Sequence, residues 1–184
     1  MAANLPSSSA QQGRPRKKEL DAKILKAMLH ALAANGYEAA NLQEIARATG
    51  TSKQALYRRW QDKHHLAVEA VRRGFLEIPP VYPGDAPLAE AVIETLALLR
   101  DALSDGPLGP AFHALYASPA LAEDARAIEG EQRTRLRQLF VVANATADME
   151  TKIDQLLGPI YFTCLMRQQP MSLEALNRLV RQTL

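Results

Sequence analysis

The stretch GTSKQALYRRW, residues 50–60, decides the fold of this chain. Its glycine permits a sharp backbone turn, and Thr51 and Ser52 follow as helix-start residues whose side-chain oxygens can accept from free backbone amides. Leu56 and Trp60 then supply one apolar side, while most of the residues around them are polar or basic. The pattern predicts a short helix with one buried face and one exposed, cationic face.

A second short helix precedes this one. Asn41 lies three residues before Glu44, which is the spacing of a helix-capping pair, and Leu42 and Ile45 form an apolar face before Gly50 ends the helix. Two short capped helices joined at a glycine have the layout of a helix-turn-helix. Because the DNA major groove admits one α-helix, this layout predicts a DNA-binding unit that presents the polar side of its second helix.

The composition favours an all-α chain of about nine helices. Hydrophobic residues make up 47% of the 184 positions, Ala and Leu dominate, and β-branched residues are sparse. The single Cys164 cannot form an internal disulfide, and no apolar run is long enough to cross a bilayer. We therefore expect a cytoplasmic, nucleoid-associated protein that does not insert into membranes.

Charge is distributed unevenly between the two parts of the chain. Residues 1–75 carry 13 Lys and Arg against 6 Asp and Glu, and the remainder carries 9 against 14. A basic N-terminal part on an acidic body is expected when one end meets a polyanion. The sequence divides into a flexible basic arm over 1–16, a helix-turn-helix DNA-binding domain over 17–63 and a C-terminal domain over 64–184.

The segment ILKAMLHALAANGYEAANLQEIARATGTSKQALYRRWQDKHHL, residues 24–66, resembles the TetR family of transcriptional regulators. The later segment DQLLGPIYF, residues 154–162, is similar to the penultimate helix of many members. The resemblance implies an N-terminal three-helix DNA-binding domain, a C-terminal effector-binding and dimerisation domain, and no cofactor. It further implies a homodimer that represses from a palindromic operator and is released by an unidentified small-molecule effector. Two departures weaken the contacts expected at the turn: Thr51 in place of an apolar residue, and Asn41 in place of Thr.

The same resemblance suggests which residues touch double-stranded DNA. Lys53 and Gln54 are placed to bind base edges, Lys at guanine acceptors and Gln at adenine, with Gln43 as a further base contact. The candidate phosphate contacts are Asn41, Thr51, Ser52, Tyr57, Arg58, Arg59 and Lys63; Arg58 is alternatively a base contact, and the first two are alternatively helix caps alone. Arg14 and Arg16 flank a proline in a way that suits a narrow minor groove, or else belong to a solubilising tail.

Two sets of C-terminal residues are assigned by the same argument. An effector cavity is predicted from Phe112, His113, Tyr116, Tyr161, Phe162 and Met166, although such residues are often plain core. A dimer interface is predicted from an apolar stripe on the last two helices, with packing inside one monomer as the alternative. The interface set is Ile153, Leu157, Ile160, Tyr161, Cys164, Leu165, Leu176, Leu179 and Val180.

Rival functions are weighed against this interpretation. A non-specific or architectural DNA-binding protein without a ligand switch is the principal alternative. A small helical enzyme is disfavoured because no paired carboxylates, activated nucleophile or glycine-rich phosphate loop appears in a credible setting. No metal site is expected, since neighbours such as His64 and His65 point apart on a helix.

Overall fold

A computed structural model describes residues 13–82 and 84–184 of the chain, and its regular structure there is entirely helical, as predicted. No helix in this part of the chain is both long enough and apolar enough to span a membrane. The elements are α1 Gly13–Ala39, α2 Leu42–Ala48, α3 Lys53–Tyr57, α4 Lys63–Leu76, α5 Leu88–Ser104, α6 Leu108–Ala117, α7 Ala122–Val142, α8 Met149–Tyr161, a π-helical segment Phe162–Met166, and α9 Leu173–Thr183.

Helix α1 begins four residues inside the segment predicted to be a flexible arm. The side chains of Arg14 and Arg16 lie outside the described residues, so their predicted minor-groove contact stays a prediction. At the other end, Gly36 has φ 74° and ψ 177°, a conformation that interrupts the helix and that glycine adopts without steric cost. Helix α1 is therefore broken at Gly36, three residues before its end at Ala39.

The caps of α2 and α3 form as the sequence indicates. Asn41 Oδ1 accepts from the Gln43 amide at 2.9 Å, and Ser52 Oγ accepts from the Ala55 amide at 3.1 Å. Gly50 lies between them with φ 68°, in the left-handed region that favours glycine. The turn and its caps therefore fix α3 against α2 in a helix-turn-helix.

One apolar core joins the helix-turn-helix to the rest of the molecule. Helix α1 packs against both α4 and α6, and α4 also packs against α7. The predicted domain boundary at 63/64 falls in the first turn of α4, whose Leu66, Val71 and Phe75 are buried. Helix α4 thus shares its core with α1 on one side and with the C-terminal helices on the other.

Two irregularities mark the C-terminal half. Ser118 ends α6, and α7 begins at Ala122 after a turn closed by the Leu121 amide on the Ser118 carbonyl. Pro159 has no N–H to donate within α8, and the π-helical segment follows it, closed by the Arg167 amide on the Phe162 carbonyl at 3.0 Å.

Candidate nucleic-acid interface and effector cavity

Helix α3 turns its polar side outward. Ala55, Leu56 and Trp60 are buried beneath it, and the Trp60 indole N–H donates to Glu69 Oε2 on α4 at 2.5 Å. Lys53 and Gln54 are exposed on the opposite side, with Arg58, while Tyr57 keeps 47% of its surface accessible. A helix held from below by apolar contacts and bearing polar side chains above has the form needed to enter a major groove.

The residues around α3 that are predicted to contact DNA differ in their exposure and in the hydrogen-bonding groups that they have left for DNA. The Lys53 ammonium lies 5.8 Å from the centroid of the Tyr57 ring, so these two side chains form the same edge of the helix. Gln43 is exposed on α2. Asn41 and Ser52 use an oxygen for capping, yet the hydroxyl and the amide retain donors for a phosphate. Thr51 is half-buried and its amide is bound to the Ala46 carbonyl.

Arg59 departs from its predicted role as a phosphate contact. Its Nε donates to Asp21 Oδ1 on α1 at 2.5 Å, its Nη1 donates to the Ala55 carbonyl, and only 17% of the side chain is exposed. The guanidinium is therefore occupied in joining α3 to α1. We assign Arg59 to the orientation of the helix-turn-helix rather than to direct DNA contact.

The first turn of α4 already has a side-chain cap from its own chain. Asp62 caps this helix, accepting from the His65 amide at 2.9 Å and lying 2.8 Å from His65 Nδ1. The backbone hydrogen bond and then the His65 side chain hold the pKa of Asp62 below its ordinary value, which keeps the carboxylate charged at the helix terminus. Lys63 donates to the Glu38 carbonyl at 3.0 Å and lies 4.5 Å from the Tyr37 ring centroid, with two donors left for a phosphate.

The residues predicted to surround an effector are divided between the buried core and the exposed surface. Phe112 is fully buried, with its ring centroid 4.8 Å from Phe75 and 5.1 Å from Tyr116. Phe162 and Met166 are more than half exposed. None of the six predicted residues lines either of the two cavities described below, because the aromatic rings fill the interior space between α4, α6 and α8 themselves.

Two polar atoms in this aromatic cluster stand out. His113 Nδ1 and the Tyr161 hydroxyl are buried without a hydrogen-bond partner among the described residues. Burial raises the pKa of Tyr161 far above its ordinary value, so the phenol stays protonated. A water molecule is the ordinary partner for such groups.

The structure instead has a cavity of about 360 Å³ among the link after α4, α5, α7 and α8, here called the α5–α7 cavity. Its walls are mainly apolar, including Leu96, Leu136 and Leu157, and Gln132 and Arg135 are among its few polar lining residues. Gln132 is 4% exposed. A mostly apolar pocket with a few convergent polar groups is the usual form of a small-molecule site. In the sequence, this cavity could have been indicated by Gln132 and Arg135, two polar residues three positions apart on the otherwise apolar side of α7.

Most residues of the predicted dimer stripe are packed inside one chain. Buried within one chain are Ile153, Leu157, Ile160, Cys164, Leu165, Leu176 and Val180, while Tyr161 and Leu179 are half-buried. The seven buried residues are covered by α5, α7 and the facing surfaces of α8 and α9, which is the packing inside one monomer given above as the alternative. The surface that α8 and the π-helical segment leave open is different, and it includes Gln155, Gly158, Phe162 and Met166.

Comparisons with known proteins agree with this architecture. Residues 24–70 match the model of the N-terminal domain of bacterial regulatory proteins of the tetR family. No curated protein sequence matches the chain significantly.

Solved structures share the fold over most of the chain at low sequence identity. A transcriptional regulator from Aquifex aeolicus VF5 is 17% identical with a TM-score of 0.69, covering 89% of this chain and 96% of its own. FadR from Bacillus subtilis, in complex with stearoyl-CoA, is 17% identical with a TM-score of 0.71, covering 88% and 96%. The fatty acid degradation regulator FadR from Bacillus halodurans is also 17% identical with a TM-score of 0.71, covering 88% and 92%. Residues 24–70 of this chain therefore carry an N-terminal domain of the tetR family of bacterial regulatory proteins, and nearly nine-tenths of the chain share the fold of these solved structures.

Proposed function

We propose that the protein is a dimeric repressor that binds a palindromic operator and is released from it by a small molecule in the α5–α7 cavity. The observation that carries the proposal is the position of Arg135, which lines this cavity and also binds the end of α4. Helix α4 in turn supports the reading helix α3 at its other end. A ligand in the cavity can therefore displace α4 and, through α4, change the position of the DNA-binding surface.

Gln54 and Lys53 carry the base-specific part of the proposed DNA contact. They lie at the exposed start of α3, the part of a recognition helix that approaches base edges. Tyr57, Arg58 and Lys63 surround them and supply contacts to the phosphates, which position the protein without reading sequence. Gln43 on α2 adds a third candidate base contact.

The variant Gln54→Ala is expected to relax base preference, because a bidentate amide contact to adenine contributes about 1–3 kcal/mol of discrimination. Tyr57→Ala serves as the matched comparison, since losing a phosphate contact weakens binding to operator and scrambled duplexes alike. Fluorescence anisotropy on both duplexes measures the two effects. An equal loss on operator and scrambled DNA for Gln54→Ala would remove this residue from the base-reading set.

The end of α4 is tied to α7 by Arg135. Its Nη2 donates to the Phe75 carbonyl at 3.1 Å and its Nη1 to the Ile78 carbonyl at 3.5 Å. These carbonyls belong to the last turn of α4 and the link that follows, where a helix leaves acceptors unsatisfied. A ligand group that competes for the guanidinium releases this end of the helix.

Two further contacts tie α4 to α7 along its length. Arg72 Nε lies 2.9 Å from Glu131 Oε1, and His64 Nε2 lies 2.8 Å from Asp124 Oδ2. The first turn of α4 also carries Lys63, and its next turn carries Glu69, the partner of Trp60 beneath α3. A shift of α7 is therefore transmitted through α4 to the support of the reading helix. The complex of the FadR neighbour with stearoyl-CoA supports a ligand-responsive role for a chain with this fold.

Arg135→Met is expected to weaken operator binding by about threefold to tenfold in the absence of any effector. Hydrogen bonds from charged groups contribute about 1.5–3 kcal/mol, and part of that energy stabilises the conformation that binds DNA. Arg137→Met is the matched control: Arg137 lies on the same helix but pairs with Glu150 on α8, away from the cavity. Anisotropy titrations with operator DNA compare the two. Identical affinities for the two variants would argue against coupling through Arg135.

A footprint on the DNA upstream of the protein's own gene tests the proposal as a whole. A repressor of this kind protects a discrete palindrome with half-sites roughly 34–36 Å apart, one turn of DNA. Protection without a palindrome, at an affinity governed only by salt, would instead show the architectural alternative. Metabolites that raise the melting temperature are then tested for release of the protected duplex.

A further inference from the structure

A larger groove, of about 710 Å³, has a mostly different set of lining residues from the α5–α7 cavity. It is bounded by α1, the second half of α4, the second half of α5 and the start of α6, and it is here called the hinge groove. The two spaces share only Ile78 and Pro79, at the link after α4. The hinge groove thus lies where the DNA-binding helices meet the body.

The floor of the hinge groove is apolar. Leu25 and Leu29 come from α1, Leu98 from α5 and Leu108 from α6. Gly74 on α4 lets these helices approach closely, because a Cβ there would lie 2.7 Å from Leu108 Cδ1. The floor is therefore a continuous surface built from four helices rather than a gap between loosely packed parts.

The rim of the groove on α1 is cationic. Lys23 and Lys26 lie three residues apart on the same face of α1 and are exposed, with His30 one turn further along. Among the described residues, neither ammonium group forms a salt bridge with a carboxylate. On the opposite rim, Arg73 faces its own partner Glu77 at 3.7 Å. The two lysines therefore give this rim an uncompensated positive charge.

We propose that the hinge groove binds an anionic amphiphile, with its carboxylate between Lys23 and Lys26 and its hydrocarbon chain along the leucine floor. The apolar floor disfavours a small, fully hydrated anion, and the two free ammonium groups disfavour a cationic amphiphile. The volume falls within the range of about 300–1,000 Å³ that small-molecule sites span. This site is separate from the effector cavity of the proposed function and does not depend on DNA binding or on dimer formation.

The test uses the full-length protein without DNA and decanoate as the probe. Isothermal titration calorimetry should show decanoate binding, with decanol binding more weakly and decyltrimethylammonium weakest of the three. The double variant Lys23→Gln with Lys26→Gln should weaken decanoate binding by about fivefold to tenfold, as expected for the loss of two exposed ion pairs. Lys18→Gln, an exposed lysine on the same helix that does not line the groove, is the matched control and should leave the affinity unchanged.

Two further variants locate the hydrocarbon chain. Ala22 is an exposed lining residue of the hinge groove, so Ala22→Trp should block decanoate without disturbing the core. Val142 is an exposed lining residue of the α5–α7 cavity, and Val142→Trp should leave decanoate binding intact. Circular dichroism confirms that each variant is folded.

Several results would overturn the proposal. These are no decanoate binding to the unaltered protein, equal affinity for decyltrimethylammonium, or an unchanged affinity in the double lysine variant. Loss of binding in Val142→Trp but not in Ala22→Trp would place the ligand in the other cavity. If the lysine variant lost only operator affinity, the two ammonium groups would be DNA contacts and not a ligand site.

Discussion

Gly158→Arg is expected to convert the proposed dimer into folded monomers and to lower operator affinity by about two to four orders of magnitude, the usual gain from linking two binding units. Gly158 is exposed on the open surface of α8 together with Phe162 and Met166, and we propose this surface as the dimer interface. A Cβ at this position meets nothing within 4 Å, so the substitution does not disturb the monomer. In a two-fold interface the same arginine appears twice and its charges repel across the axis.

Light scattering coupled to size exclusion measures the mass of the Gly158→Arg protein, and anisotropy measures its operator affinity. Gly130→Arg is the matched control, because Gly130 lies within helix α7 and its Cβ position is equally unobstructed. This control should remain dimeric. A Gly158→Arg protein with the mass of a dimer would exclude the open surface of α8 as the interface.

Leu157→Arg, one residue away, is expected to unfold the protein rather than to dissociate it. Leu157 is 1% exposed and lines the α5–α7 cavity with Arg135, so the variant buries a second positive charge beside the first. Burial of an unpaired charge belongs to the substitutions that cost more than about 4 kcal/mol, against a total stability of about 5–15 kcal/mol.

Urea unfolding followed by circular dichroism measures the effect. Leu157→Met is the control, because it conserves volume and polarity and should cost less than about 1.5 kcal/mol. A well-folded monomer of Leu157→Arg, with near-normal unfolding, would restore the original stripe as the dimer interface.

The opposite outcomes expected at positions 157 and 158 show what the sequence could and could not predict about the C-terminal half. Apolar spacing on α8 correctly identified the face that avoids water. The spacing does not distinguish a cover supplied by the chain's own helices from one supplied by a second copy, because both present the same apolar surface to that face. The exposed surface that remains combines Gln155 and Gly158 with Phe162 and Met166, so it lacks the uninterrupted apolar stripe that marks the buried face.

Local signals were reliable in the DNA-binding half for a physical reason. The caps at Asn41 and Ser52 and the turns at Gly36 and Gly50 depend on interactions within a few residues, so the sequence contains both partners. Arg59 illustrates the opposite case. Its carboxylate partner Asp21 is 38 residues away, and no pattern around Arg59 indicates that the charge is already occupied.

The contacts that hold α4 matter for hybrid regulators, in which this DNA-binding domain is joined to the ligand-binding domain of another protein. A junction placed before Lys63 would remove Leu66 and Val71 from the core that covers α1. The junction therefore belongs after Ile78. Even there, the foreign domain must present its own equivalents of Asp124, Glu131 and Arg135 to the transplanted helix, or the hybrid would bind its operator more weakly and would not respond to any signal.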